Sequence, residues 1–256
     1  VPSFGVVGEG VTDQTVIENI LFGYFGDEEP IVNPVQPPHD KTGEASAPAP
    51  GGWGLVLKFF ETGEHRRALQ WNDYLVVQID TDVSEQKGYD VPHREGGREL
   101  EVEELVTRVI QKFQGIMGDE FWRAHGHRFL FAVAVHGIEC WLLPLLYDDN
   151  RATKTTGCLD ACNRERIKRN KTPLSSSGHK SETKNVRAYQ EVAREYAKRK
   201  RLDAVHDKNP SLALFISQLD ERNVKAEPGA APSEGVPASA SPAVPGDKPS
   251  SPGAEE

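Results

Sequence analysis

Apolar residues run with few breaks through two stretches, Tyr74–Asp82 (YLVVQIDTD) and Arg128–His136 (RFLFAVAVH), and such continuity predicts strands buried on both faces. Shorter runs predict further strands at Phe4–Val7, at Leu55–Phe60 (LVLKFF) and, briefly, at Ile31–Val35. Between the runs the apolar spacing changes to three and four. Val16, Ile17, Ile20 and Leu21 share one face of a helix whose cap is expected at Thr12 or Asp13. Leu105, Val106, Val109, Ile110 and Phe113 do the same within Glu99–Gln114, and a short helix is expected at Glu64–Gln70. Another helix is expected to open in GIECWLLPLLY, packed through Trp141, Leu142 and Leu145. Strands alternating with helices predict an α/β fold: a mostly parallel, Rossmann-like sheet with helices on both faces.

Past Asn150 the pattern changes. The stretch NRERIKRNKTPLSSSGHKSETKN is basic and polar with loop signals. Val186–Lys200 reads as a helix with Tyr189, Val192, Ala193 and Tyr196 inside and a basic outer face. Asn209-Pro210 is a cap and first-turn pair opening a last helix that buries Leu212, Phe215, Ile216 and Leu219. Residues 225–256 lack aromatics and are dominated by Pro, Ala, Ser and Gly, so disorder is expected there. The predicted organisation is a catalytic core over 1–150 with a flexible proline-rich loop at about 26–54, a basic helical extension over 151–224, and the tail.

The net charge of −9 hides an asymmetry: residues 1–150 hold 11 Lys and Arg against 25 Asp and Glu, while residues 151–201 hold 15 against 5. An acidic front and a basic segment suit a protein that gathers metal at one place and polyanion at another, although both can equally be solvated helical faces. Three cysteines make a disulfide framework unexpected and suggest a reducing compartment. Cys140, Cys158 and Cys162 with His179 lack the paired spacing of a zinc site. No apolar run reaches bilayer length and no signal-peptide pattern opens the chain, so a cytoplasmic protein without membrane partners is expected.

The stretch FGVVGEGVTD raises the question of chemistry. A dinucleotide loop would need a third glycine where Asp13 stands, and Glu9 and Asp13 would repel a pyrophosphate. A P-loop lacks its Gly-Lys-Ser/Thr. A carboxylate reading fits better: Glu9 follows one strand, Asp80 and Asp82 end another, and ligands of open α/β sheets bind at that carboxyl edge. Acids delivered together repel unless a cation lies between them, and an oxygen donor set selects Mg²⁺ or Mn²⁺. Asp13 also reads as a helix cap, and Glu139 as a first-turn acid.

Glu9-Gly10 with Asp13, followed by QIDTD, resembles the Toprim domain of primases, topoisomerases and overcoming-lysogenization-defect nucleases. GIECWLL at Gly137–Leu143 and NPSLALFISQL at Asn209–Leu219 resemble a bacterial Toprim-like group often encoded beside ATPases in phage-defence loci. That resemblance implies a Mg²⁺- or Mn²⁺-dependent nuclease, acting on DNA or RNA with an ABC- or AAA-type ATPase partner. It implies Glu9 as metal ligand or general base, Asp80 and Asp82 as metal ligands, and supporting roles for Asp13 and Glu139. It also implies a lysine near the scissile phosphate, for which Lys180 and Lys184 are the candidates. The basic segment Arg164, Arg166, Lys168, Arg169 and Lys171 would contact phosphates. Two rival readings are a haloacid dehalogenase-like phosphatase using Asp80 as nucleophile, and a non-catalytic Toprim subunit regulated by an ATPase. Oligomerisation is left open.

Overall fold

Four of the apolar runs pair side by side as parallel strands. In the computed structural model, which describes residues 1–38, 51–177, 182–222 and 224, the chain opens with β1 (Ser3–Val7), α1 (Val11–Phe25) and β2 (Ile31–Gln36). α2 (Trp53–Glu61), α3 (Glu64–Ala68) and β3 (Tyr74–Asp80) follow. A small hairpin, β4 (Arg94–Glu95) and β5 (Arg98–Glu99), leads into α4 (Val102–Met117), α5 (Asp119–His125) and β6 (Phe129–Ala134). The chain continues through α6 (Glu139–Leu146), α7 (Cys158–Lys168) and a second hairpin, β7 (Ser175–Ser177) and β8 (Glu182–Lys184). It closes with α8 (Val186–Ala193), α9 (Arg199–Val205) and α10 (Pro210–Glu221).

The sheet order is β2-β1-β3-β6 with every pair parallel. Alternation along the strands splits the core in two. Phe4, Val6, Val76, Leu130 and Ala132 face a cluster built by α1, α6, α8 and α10, whereas Leu75, Val77, Ile79, Phe129 and Phe131 face α2 and α4. Both sheet edges are managed. Pro34 lies in the edge strand β2, where a missing N–H is tolerated. On β6 the Gln218 side chain of α10 accepts from Phe131 N–H and donates to Phe131 C=O, both at 2.9 Å, standing in for a neighbouring strand. α1 meets the turn after α8 so closely that a Cβ at Gly23 would lie 1.8 Å from the Tyr196 carbonyl oxygen. Residues of the 151–224 region, from Ala152 to Val224, share the first core cluster with Phe4 and Trp141.

Several sequence expectations change here. LVLKFF is helical: Val56, Leu57, Phe59 and Phe60 are buried on one side while Lys58 is exposed, a pattern that a six-residue apolar run cannot distinguish from a strand. α1 starts at Val11 with Gly10 as an extended N-cap, so Thr12 and Asp13 occupy its first turn rather than capping it. The 186–200 helix breaks after Ala193, because the intervening turn is pinned by the Tyr196 hydroxyl donating to the buried Trp141 carbonyl. The polar stretch at Asn163–Lys168 belongs to α7, whose basic exterior hides its helical character. Cys140 and Cys158 are bonded to each other, contrary to the expectation from the odd cysteine count, and Cys162 is left as a buried thiol. His179, Lys180, residues 39–50 of the proline-rich loop and the whole tail 225–256 lie outside the described residues. Among the described residues no helix is long and apolar enough to cross a membrane.

Candidate active site

β1 connects outward to β2, and the chain then returns to place β3 on the other side of β1. This reversal of direction makes the crevice beyond β1 and β3 the topological switch point, where open α/β sheets bind ligands. Glu9 lies just past β1 and Asp80 is the last residue of β3, so both strand ends deliver acids to that crevice. The Asp80 N–H donates to Glu9 Oε1 at 2.8 Å. Gln78, the polar residue inside the apolar run, accepts from Glu9 N–H at 3.1 Å and donates to Asp80 Oδ1 at 2.8 Å. Asp80 Oδ1 also accepts from Ile138 N–H at 3.1 Å, tying β3 to the entry of α6.

Glu139, in the first turn of α6, comes to the same place from β6. A Cβ added to Gly137 would stand 3.0 Å from Glu139 Oε2 and 3.5 Å from Asp80 Oδ2, so both carboxylates flank this glycine. Lys184, at the end of β8, sets its ammonium 2.9 Å from Glu139 Oε1 and 3.7 Å from Asp13 Oδ1. Tyr189 of α8 donates its hydroxyl to Glu139 Oε1. Asp13 is 2 % exposed, and its Oδ1 accepts no hydrogen bond among the described residues. Four acids and one lysine therefore share the site.

Electrostatics follow from burial. Glu9 is pushed up to about 7, first by desolvation and then by the charges of Asp13 and Asp82, against the pull of the Asp80 N–H and Lys184. Asp80 is held well above the carboxylate range by burial and by Glu9, Asp13 and Glu139. Asp13 is raised by burial, with Lys184 opposing. Asp82 is raised chiefly by desolvation. Burial also opposes ionisation of Glu139, but Lys184 and Tyr189 together outweigh it and bring that carboxyl below its ordinary value.

The sequence-derived set thus divides. Glu9, Asp13, Asp80, Glu139 and Lys184 come together. Asp82 departs from the expected strand position: it sits exposed in the turn after β3, its N–H donating to the His136 carbonyl, although its charge reaches Glu9. Arg166 is 3 % exposed, donates to the Thr172 carbonyl and pairs with Glu191 at 2.8 Å, so it is removed from the expected phosphate contacts. Arg169 and Lys171 are engaged by Glu165 and Glu191. Arg164 and Lys168 are exposed on α7. Gln78 was legible as a polar break in an apolar strand; nothing in the local sequence marks Tyr189.

Among the described residues no three His, Cys, Asp or Glu side chains are grouped tightly enough to hold an ion as they stand. The chemistry of the donors nonetheless fits a hard divalent cation: all are carboxylates, one buried oxygen lacks a hydrogen bond among the described residues, and like charges crowd one another. No protein-family model, curated protein or solved structure matches the chain. Fold and site together define an α/β protein with an acid cluster at the switch point of a four-stranded parallel sheet.

Proposed function

We propose that the chain is a Mg²⁺- or Mn²⁺-dependent nuclease of Toprim type. The observation that carries the reading is the delivery of Glu9 and Asp80 by adjacent strand ends to the switch point, with both carboxyls raised by burial and by the charges of neighbouring acids. Acids placed so are destabilising to one another, and a bound cation relieves that cost. Asp80 would hold the ion, joined by Asp82 from the turn after β3, with Asp13 and Glu139 in support. A bound divalent ion would acidify water and neutralise charge growing on a phosphate.

The chain's own groups supply the rest. Glu9, near 7, is matched to taking the proton of a water whose oxygen attacks phosphorus as the P–O bond to the leaving oxygen breaks. Lys184 offsets one acid and holds Glu139 ionised. Exposed Arg164 and Lys168 on α7, with Arg187 on α8 and Arg194 just past its end, would supply the basic contacts to a nucleic-acid backbone, DNA or RNA. The pairing with a defence-locus ATPase remains part of this proposal through the resemblance alone. Purified protein with Mn²⁺ should nick or cut nucleic acid, and Glu9→Gln or Asp80→Asn should reduce this at least about a hundredfold without unfolding. Undiminished cleavage in both variants rejects the assignment.

A further inference from the structure

On the outer side of β2, that strand together with α2 and α3 lines a cavity of about 330 Å³. Its lining includes Asn33, Phe59, Glu64, Arg67, Trp71 and Asn72. Trp71 and Asn72 lie just before β3, whereas Asp80 ends it, so about 20 Å of strand separates this side of the cavity from Asp80. Trp71 is 78 % exposed, the most exposed large hydrophobic side chain among the described residues, while Phe59 opposite the solvent is 7 % exposed. An indole left open beside an apolar floor forms a stacking platform.

We propose that this cavity binds a nucleobase together with its phosphate, presented either by a free mononucleotide or by an unpaired base of a strand. Trp71 supplies the flat face. Asn33 supplies the edge reader: one amide N–H donates to Asn72 Oδ1 at 2.8 Å, which fixes the amide and, among the described residues, leaves its other N–H and its carbonyl for a donor-acceptor pair. Asn72 is in turn held by donating to the Ala68 carbonyl at 2.9 Å. Glu64 on the rim accepts from an exocyclic amine, favouring adenine, cytosine or guanine over uracil. Arg67, one turn along α3, offers its guanidinium to the phosphate. The volume lies at the small end of ligand pockets, suited to one base rather than a dinucleotide. This inference does not depend on the hydrolytic reading, since the cavity shares no residue with the acid cluster.

The test is calorimetric titration of the full chain in EDTA, so that no metal-dependent cleavage intervenes. Adenosine monophosphate is one probe, and a ten-residue deoxyadenosine strand, single or paired with its complement, is the other. Saturable binding of the mononucleotide identifies a free-nucleotide site; binding of the single strand alone identifies a strand-reading site. In either case Trp71→Ala should weaken binding at least about tenfold and Trp71→Phe should recover part of it. Arg67→Ala should weaken the monophosphate but not adenosine, and Asp80→Asn should leave affinity unchanged even if it abolishes cleavage. Trp71 is exposed, so its variants are expected to fold, with thermal melts as the check. Neither probe saturating at millimolar concentration, or Trp71→Ala binding like the parent protein, overturns the proposal.

Discussion

Replacing Glu9 with glutamine should make the metal-free protein more stable while abolishing the proposed cleavage. The native state holds the Glu9 proton more tightly than the unfolded chain, its carboxyl being carried from 4.5 to about 7. Stability therefore falls as pH rises through that window, and the cost is fully present above it. Complete transfer of the shift gives about 3 kcal/mol as a ceiling. Glu9 is only partly buried, so solvent screening lowers the expected figure to about 1–2 kcal/mol. Glutamine keeps the oxygen that accepts the Asp80 N–H, so the strand-end hydrogen bond survives. Urea unfolding followed by tryptophan fluorescence in EDTA should show the variant more stable at pH 8 and equal to the parent near pH 4.5. Added Mn²⁺ should raise the parent's midpoint more than the variant's. A variant less stable at pH 8, or a gain independent of pH, refutes the reasoning.

Three further outcomes are expected. Lys184→Ala removes the ammonium that lies 2.9 Å from Glu139 and 3.7 Å from Asp13, and should cost about 3 kcal/mol at neutral pH. Because the Glu139 carboxyl is depressed in the folded state, that loss should shrink as pH falls below 4.5, as urea titrations at pH 7 and pH 4 can check. Cys158→Ala should lower the stability of the oxidised protein by about 3 kcal/mol, since the bridge to Cys140 closes an 18-residue separation; non-reducing peptide mapping should find that bridge and no other. Arg164→Ala with Lys168→Ala should reduce the salt dependence of nucleic-acid binding by about one counterion each, whereas Arg166→Ala should act on stability instead.

The strands that carry the site were readable because burial on both faces leaves no alternation to misjudge: Tyr74–Asp80 and Phe129–Ala134 stand where continuous apolar runs put them. Glu9 and Asp80 were readable because each stands at the end of such a run. LVLKFF was not, since a short apolar segment satisfies helix and strand alike until its neighbours are known. α7 was hidden by its charges, and the break after Ala193 by the absence of any glycine or proline there. Tyr189 and Lys184 reach Glu139 only because α1, α6 and α8 pack together in three dimensions, which no local pattern encodes. The Cys140–Cys158 pairing likewise depends on how α6 and α7 meet.

The most direct measurement is anomalous scattering from crystals soaked in Mn²⁺. A peak about 2.0–2.5 Å from oxygens of Asp80 and at least one of Glu9, Asp82, Asp13 and Glu139 is the result predicted. Saturating Mn²⁺ with no peak at the crevice beyond β1 and β3, or one bound only elsewhere, would contradict the account.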